Sequence, residues 1–393
     1  MNKKMSFLLK RGPIFYIEIS KSKVTLFYRN TMKILINGSD FKMISKIKIS
    51  EENLIKYVQL HTGMKHIVLG DWSCTSLGWK ASNDVTGGVY RVNGVANTEE
   101  NSIKWSFILK VVIPSPNYNE PSRYNYWKRE ILAYKSGLLD KLPNIIHAPR
   151  CFGIDEQENQ VWLWFEEVSD FYHGDWTHNQ YEKVARLLGR FNGAYLVEKD
   201  LPTEKWLCKE WLSSWVRECD KFDDGTALKE EFWDDEYISS MFPPDMYNRY
   251  CKFHEKRTQL LMRLRELPKV FTHNDAWAPN LFLQENETIV AIDWAFAGIT
   301  GVGEELGRFY GLCLHSGIDY YDMKQLSEIL FENYCNGLYE AGWTGDKKLV
   351  RFGFTTSAGI RCGMIIPKII RDFSKNKENG ELSSWIGCKI NAK

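Results

Sequence analysis

The spacing of apolar residues divides this chain into a β-rich first half and a mainly helical second half. Leu54, Tyr57 and Val58 recur at helical spacing and predict a helix over residues 51–61, with Ser50 at its N-cap. Runs of β-branched and aromatic residues, separated by Gly, Asn and Asp, predict several strands. These strands are expected within residues 14–36 and at residues 67–69, 85–92 and 105–113.

One helix and one strand pair complete the first half. The pattern predicts a helix over residues 123–142, ended by Pro143, and strands at residues 150–154 and 160–168. Because the spacing turns helical after these strands, we expect a small lobe, a linker near residues 165–175 and a larger lobe. Ligands favour the crevice between such lobes.

The second half is predicted to be helical except for one short hairpin. Residues 180–196 and 246–267 carry apolar side chains at helical spacing, and residues 280–283 and 288–294 predict two short strands. Gly and Pro residues predict breaks between the helices near the end of the chain. The breaks are expected at Ser316-Gly317, at residues 342–345 and at Pro367.

Composition excludes several classes of protein. The 393 residues are 44% apolar and 26% charged, which is typical of globular chains and argues against wholesale disorder. The 51 basic and 50 acidic residues balance, whereas a dedicated nucleic-acid-binding protein carries a basic face. No apolar run approaches the roughly 18 residues that span a bilayer. The nine cysteines form no C-x-x-C pair, which fits a reducing cytoplasm better than a disulfide framework.

Charge is unevenly distributed at the N-terminus. Residues 1–50 contain 11 Lys and Arg residues against only Glu18 and Asp40. This segment is either an electrostatic arm for an anionic partner or a solvated extension, including sequence ahead of an internal start such as Met43. Residues 10–13 interrupt the short apolar run near the start, so we expect no export signal.

The strongest chemical signal lies around the predicted hairpin. An apolar lead-in reaches His273-x-Asp275, Asn280 follows five positions after Asp275, and a second strand ends at Asp293. Phosphoryl transfer needs one carboxylate as base for the attacking hydroxyl, and an amide oxygen with a second carboxylate as Mg²⁺ ligands. We therefore assign Asp275 as the base and Asn280 and Asp293 as metal ligands. Alternatively, Asp275 and Asn280 cap local backbone in a polar turn.

The β-rich half contains candidates for binding nucleotide phosphates. Gly87-Gly88 lies between two strand-like segments, where glycine lets the backbone approach phosphate closely. Lys110 is a lone lysine in an apolar strand, and an ion pair with Glu130 on the predicted helix would aim its ammonium at phosphates. Taken separately, these residues are more typical of a hairpin turn, an edge-strand lysine and a solvated helix face. Their order along the chain favours the nucleotide interpretation.

Together these motifs resemble the aminoglycoside phosphotransferase and choline kinase superfamily, the small-molecule branch of the protein-kinase-like fold. The match in order covers about residues 60–360. The resemblance implies an α+β, bilobal fold with a small antiparallel β lobe that includes one helix and a larger, mainly helical lobe. It implies that the linker Glu166-Glu167-Val168 contributes to binding adenine and that His273 and Asp275 form the catalytic motif. It also implies that no activation loop follows Asp293.

Two departures accompany this resemblance. The nucleotide loop lacks a full G-x-G-x-x-G, and Glu304-Glu305-Leu306 stands where a typical member has Asp-Leu. We expect a basic extension over residues 1–48, a nucleotide-binding lobe over residues 49–168, and a catalytic and acceptor-binding lobe over residues 169–393.

The expected activity is ATP- and Mg²⁺-dependent transfer of the γ-phosphate to a hydroxyl of a small molecule, with GTP not excluded and the oligomeric state open. Residues 303–393 contain 11 acidic and 12 basic residues, which is no acidic surface for a polycationic aminoglycoside. Residues 218–236 contain nine acidic residues and two lysines, with tryptophans nearby. This segment either receives an amine-bearing acceptor or is a solvated helix face. The alternative to an enzyme is a catalytically silent kinase-like module that binds nucleotide or a partner.

Overall fold

The computed structural model describes residues 47–78, 85–172, 176–313 and 320–378. The strands expected within residues 14–36, most of the basic extension and the break at Ser316-Gly317 lie outside these ranges. In the described part of the chain, no helix combines the length and the apolar character needed to cross a membrane. The helices and strands in chain order are α1 (Glu51–Thr62), β1 (Val68–Ser76), β2 (Thr86–Asn97), β3 (Ser102–Val112), α2 (Arg129–Lys135), β4 (Ile146–His147), β5 (Cys151–Glu156), β6 (Val161–Glu166), α3 (His178–Val197), α4 (Trp211–Asp220), α5 (Glu236–Met241), α6 (Met246–Arg265), β7 (Lys269–Thr272), β8 (Leu281–Leu283), β9 (Ile289–Ala291), β10 (Gly298–Gly301), α7 (Glu304–Cys313), α8 (Tyr320–Glu340) and α9 (Lys347–Glu378).

The first part of the chain forms a five-stranded antiparallel sheet in the order β1-β2-β3-β6-β5. Helix α1, which the sequence predicted over residues 51–61, packs against this sheet through Leu54, Tyr57 and Val58, which are buried on one face of the helix. The Ser50 hydroxyl accepts a hydrogen bond from the Asn53 amide at 3.1 Å and caps the helix. The predicted antiparallel β lobe is therefore present.

Helix α2 is much shorter than the helix predicted over residues 123–142, and that prediction was wrong. The guanidinium of Arg129 is fully buried and donates hydrogen bonds to backbone carbonyls of the segment before the helix. These bonds hold the segment in a non-helical loop, and Gly137, with a φ of 68°, follows the last helical turn. The accepting carbonyls belong to Pro121, Arg123, Tyr124, Trp206 and Ala295.

The helical lobe encloses two small sheets. Strand β7 pairs antiparallel with β10, while β8 and β9 form the predicted hairpin, which β4 extends in parallel. Helix α3 packs against β7 and against α8. The two helices approach closely at glycines: a Cβ on Gly189 would lie 2.1 Å from the carbonyl oxygen of Tyr334. A Cβ on Gly337 would lie 2.0 Å from the carbonyl oxygen of Arg186.

Helix α9 continues through Pro367, where the sequence predicted a break. Proline removes one backbone donor from a helix interior. Residues around it are nevertheless buried in the lobe, Ile366 and Ile369 in one apolar cluster and Met364 in another. Tertiary packing of this helix therefore outweighs the tendency of Pro367 to break it. The break predicted at residues 342–345 does separate α8 from α9.

Candidate active site

The loop after β7 presents Asp275. The chain turns through Asn274, whose φ of 61° lies in the left-handed region that Asn adopts more readily than most residues. His273 is fully buried; its Nδ1 accepts from the amide of Asp275 at 3.2 Å, so its Nε2 donates to the carbonyl of Ile292 at 2.8 Å. Burial lowers the pKa of His273, which favours the neutral form of the ring. Both ring nitrogens are therefore engaged in holding the loop.

Glu305, on α7, anchors the same loop. Its Oε1 accepts hydrogen bonds from the amides of His273 at 2.7 Å and Asn274 at 2.9 Å. Its Oε2 accepts from Nδ2 of Asn192 at 3.0 Å, and Oδ1 of Asn192 accepts from the hydroxyl of Tyr334 at 2.7 Å. Burial raises the pKa of Glu305 to about 7, against the effect of these hydrogen bonds. The second glutamate of Glu304-Glu305-Leu306 thus has a structural role in positioning Asp275.

Both carboxylate oxygens of Asp275 have a partner. Oδ2 accepts from Nδ2 of Asn280 at 2.8 Å, and the same nitrogen donates to the carbonyl of Asp275 at 3.0 Å. Oδ1 accepts from the guanidinium of Arg308 on α7. The side chain of Asp275 is 15% exposed, so it is partly accessible from solvent.

Lys110 connects the β lobe to the helical lobe. Its Nζ lies 2.6 Å from Oε2 of Glu130 and 2.9 Å from Oδ1 of Asp293. The ion pair that the sequence predicts is therefore present, with Asp293 as a second, unpredicted partner. Burial lowers the pKa of Lys110, but the charges of Asp293 and Glu130 outweigh burial and leave that pKa above its ordinary value. The ammonium is therefore charged.

Backbone hydrogen bonds hold the two motif segments of the helical lobe side by side. The carbonyl of Ile292 accepts from His273, and its amide donates to the carbonyl of Asn280 at 2.9 Å. Because Ile292 directly precedes Asp293, these bonds bring Asp293 next to the loop that carries Asp275. The residues that converge in this cleft are Lys110, Glu130, Asp275, Asn280 and Asp293.

The donor groups at this cleft suit a magnesium ion. Asp293 has a carboxylate, and Asn280, whose amide nitrogen points to Asp275, has its amide oxygen on the other side of the group. Magnesium in phosphoryl-transfer sites takes one or two protein carboxylates or carbonyls and completes its shell with phosphate and water. Within the described ranges, no three or more His, Cys, Asp and Glu side chains form a self-contained metal site. The chemistry of Asn280 and Asp293 therefore fits an ion shared with a phosphate ligand.

A cavity of about 920 Å³ borders the linker Glu166-Glu167-Val168, which begins at the end of β6. Arg91 and Ser106 line it, and strand alternation puts them on the same sheet face as Lys110. The carboxylate of Glu167 accepts from Nε of Arg91 at 2.7 Å and from the hydroxyl of Ser106 at 2.5 Å. This side chain is thus used within the lobe, so any contribution of the linker to adenine would come from its backbone.

Gly87 and Gly88 lie inside β2 and not in a turn, so the predicted position of the glycine turn was wrong. Gly88 pairs with Val111 across an irregular step in the register and has a φ of 149°, a conformation that favours glycine. A Cβ on Gly87 would lie 2.9 Å from Cγ1 of Val111. Packing against β3 accounts for Gly87, whereas the positive φ and the Tyr90 ring, 2.6 Å from a Cβ at this position, account for Gly88. The contact of both glycines with phosphate stays a prediction.

The family comparison agrees with this geometry. Residues 124–342, more than half of the chain, match the model of the phosphotransferase enzyme family. The chain belongs to this family. The matched region of this family member includes the two motifs of the helical lobe and begins after Lys110. The resemblance inferred from the sequence motifs is therefore confirmed at the level of the family.

Several solved structures are similar to this phosphotransferase family member at low identity. An aminoglycoside phosphotransferase from Streptomyces rimosus is 15% identical over 79% of this chain and 98% of its own, with a TM-score of 0.40. A spectinomycin phosphotransferase in complex with ADP and spectinomycin is 15% identical over 82% of this chain and 87% of its own, with a TM-score of 0.45. A choline kinase from Cryptosporidium parvum is 13% identical over 85% of this chain and 99% of its own, with a TM-score of 0.45. No curated protein matches the sequence.

Three residues of the site were not predicted from the sequence of this family member. Arg308 lies three positions after Glu305, a spacing that puts both on one side of a helix. Asn192 and Tyr334 lie on long amphipathic helices. Asn192 is fully buried within the apolar face of α3, and a lone amide at such a position was the signal that could have identified it.

Proposed function

We propose that this protein transfers the γ-phosphate of ATP, with Mg²⁺, to a hydroxyl group of a small molecule. The observation that carries the proposal is the position of Lys110, whose ammonium bridges Glu130 and Asp293 in a cleft shared with Asp275. A buried ammonium between two carboxylates supplies positive charge where nucleotide phosphates would bind. The family assignment supports phosphoryl transfer as the reaction class.

Each side chain has a proposed role that follows from its contacts. Asp275 orients the acceptor hydroxyl and receives its proton, because its side chain is partly accessible and the backbone around it is firmly held. Lys110 binds the phosphates and Glu130 orients Lys110. Asn280 and Asp293 would hold Mg²⁺, which when bound neutralises charge on the phosphates. His273, buried and without access to substrate, is proposed as a positioning residue.

The proposed reaction is an in-line displacement at phosphorus. The acceptor oxygen forms a bond to the γ-phosphorus while the bond from that phosphorus to the bridging oxygen of ADP breaks, and the electron pair of that bond leaves with ADP. The acceptor proton passes to Oδ1 or Oδ2 of Asp275. The chain contributes position and charge to this step, since the transition state requires little covalent chemistry from the protein.

The test compares ADP release and nucleotide binding in matched variants. We expect Asp275→Asn to bind Mg-ATP normally while turnover falls by about 10²- to 10⁴-fold. We expect the nucleotide affinity of Asp293→Asn to be independent of Mg²⁺. Replacement of ATP by GTP in the same assay measures the preference of the wild-type protein for one base. Asp234→Asn, at an exposed position, is the control and should change neither quantity.

Two results would contradict the proposal. Turnover that survives Asp293→Asn would show that Asp293 holds no catalytic metal. Nucleotide binding without transfer to any member of a broad panel of hydroxyl acceptors would favour the silent kinase-like module.

A further inference from the structure

Two arginines and a tryptophan form a cluster beside Asp275. The guanidinium carbon of Arg308 lies 5.0 Å from the ring centre of Trp211, and that of Arg361 lies 4.4 Å from the same ring centre. Arg308 also pairs with Asp275. We call Arg308, Arg361 and Trp211 the arginine–tryptophan cluster; α7, α9 and α4 each supply one member.

The cluster has donors without acceptors. Nε of Arg308, Nε of Arg361 and Nε1 of Trp211 are each buried without a hydrogen-bond partner among the described residues. Such orphaned donors are rare in folded proteins and indicate a missing acceptor. Two of these donors lie beside the indole that carries the third, and together they point to a ligand that accepts hydrogen bonds.

The charge of the cluster points to an anion. Arg361 is 8% exposed, and in the described part of the chain no carboxylate lies within ion-pair distance of it. Burying an unpaired cation is costly, and contact with an indole returns only part of that cost. The guanidinium of Arg308 adds a second positive charge at the same ring, and Asp275 is its single ion-pair partner among the described residues.

Three carboxylates of the acidic segment at residues 218–236 already have partners. Glu218 pairs with Arg123 at 2.5 Å, and Asp220 pairs with Arg257 at 2.8 Å. Asp223 accepts from the amide of residue 225 and caps a turn. These three carboxylates are therefore engaged by other groups of the helical lobe and its neighbours.

Resting on the proposed function, we propose that the acceptor carries an anionic group, a carboxylate or a phosphate, which Arg308 and Arg361 bind beside the acceptor hydroxyl. Both oxygens of Asp275 are occupied, by Asn280 and by Arg308. An anion that draws Arg308 toward itself frees Oδ1 of Asp275 for the hydroxyl. The cluster thereby couples recognition of the acceptor to release of the catalytic carboxylate.

The experiment measures acceptor binding separately from turnover. The full chain is saturated with Mg²⁺ and a non-hydrolysable ATP analogue, and calorimetry then compares one sugar scaffold in four forms: glucose, glucosamine, glucuronate and glucose 6-phosphate. Serine-sized acceptors in neutral, cationic and anionic forms extend the series. We expect an anionic form to bind about tenfold to a hundredfold more tightly than its neutral and cationic counterparts. Glucuronate against glucose 6-phosphate distinguishes carboxylate from phosphate.

Variants connect this preference to the cluster. Arg361→Gln and Arg308→Gln should each reduce the preference about tenfold or more, while Arg361→Lys should keep part of it. Arg351→Gln is the matched control, because Arg351 also stacks on a ring, at 3.4 Å from the centre of Phe331, but is paired with Glu328. Melting curves exclude unfolding, and Arg361→Lys keeps the test decisive if Arg361→Gln does not fold.

Failure of this inference is distinguishable from failure of the proposed function. Absence of any preference for an anionic form on every scaffold overturns the inference, as does a preference that both Gln variants leave unchanged. Transfer of phosphate to a neutral or cationic acceptor would overturn it while leaving the proposed function intact. Loss of Mg-ATP binding itself would contradict the proposed function.

Discussion

One buried carboxylate, Glu305, shows how a single residue supports the site. It accepts three hydrogen bonds, two from the backbone of the loop that presents Asp275 and one from Asn192. Burial raises its pKa to about 7, and burial raises the pKa of the neighbouring Glu304 to about 7 as well. A carboxyl group that ionises near neutrality inside the lobe makes stability depend on pH.

The sign of this dependence follows from the direction of the shift. Glu305 has a pKa of about 7 when folded and an ordinary pKa of 4.5 when unfolded, so between these values the folded state holds the extra proton. The free energy of unfolding should therefore fall by about 1.4 kcal/mol per pH unit from this group as pH rises toward 7. Glu305→Gln removes this contribution, and denaturation at a series of pH values measures it as the difference from wild type. A difference that is constant with pH would mean that the three donors keep Glu305 ionised throughout.

At the scale of elements, the contact between α3 and α8 positions the hydrogen bonds that link Glu305, Asn192 and Tyr334. Asn192 lies on α3 and Tyr334 on α8, and Gly189 and Gly337 bring the two helices together. No side chain larger than hydrogen fits at either glycine without moving the partner backbone. The spacing of these helices is therefore set by two residues that carry no side chain.

Adding one methyl group at this contact should separate the helices. Gly189→Ala and Gly337→Ala are each expected to destabilise the protein by roughly 1–3 kcal/mol through overpacking, and to lower turnover because Asn192 moves away from Glu305. Gly359→Ala is the control, because Gly359 lies in α9 with open space around its Cβ. That change should stabilise by roughly 0.5–1 kcal/mol. Chemical denaturation measures all three, and equal effects at Gly337 and Gly359 would contradict the packing argument.

Element boundaries were the least predictable feature at this scale. The bounds of helix α1 were predictable, because its N-cap and its apolar face both lie within a short stretch of sequence. Helix α2 does not, because Arg129 binds carbonyls that are distant in the chain as well as near ones. Helix α9 runs through Pro367 because its flanks are buried. Long-range contacts, which the local sequence pattern does not show, therefore determine the bounds of α2 and the continuity of α9.

At the scale of the whole molecule, Lys110 is the residue that joins the lobes. It pairs with Glu130 in the β lobe and with Asp293 in the helical lobe, and it is 12% exposed. Removing one partner of a buried ion pair leaves an uncompensated charge, whereas removing both partners does not. This difference separates the structural contribution of the pair from its proposed role with nucleotide.

We expect Lys110→Met to cost roughly 3–5 kcal/mol of unfolding free energy and to abolish detectable nucleotide binding. Addition of Glu130→Gln should recover part of the stability, because Asp293 stays unpaired but is 35% exposed, and it should not recover nucleotide binding. Lys135→Met, which removes the exposed ion pair with Glu156, is the control and should leave stability nearly unchanged. Denaturation and calorimetry with Mg-ATP measure the two quantities. A double variant that regains nucleotide binding would show that Lys110 does not contact phosphate.

The sequence by itself determined the order of the lobes, most of the strands and the residue types of the site. The periodicity of apolar residues predicts the helices and strands. The His-x-Asp-x4-Asn spacing with the later Asp293 predicts phosphoryl transfer. Both predictions are possible because these patterns are local properties of the chain. The order of motifs in the sequence also predicted the ion pair between Lys110 and Glu130, which the structure confirms.

Only the tertiary structure decided what surrounds these residues. Arg308, Arg361 and Trp211 meet from three separate helices, and Arg308 pairs with Asp275. Glu305 on α7 accepts hydrogen bonds from the loop that carries Asp275, 31 and 32 positions earlier in the chain. No spacing within one element encodes such a meeting, since burial and long-range packing bring the side chains together. The positive charge beside Asp275, on which the proposed preference for an anion rests, is therefore a result of tertiary packing that the sequence pattern does not show.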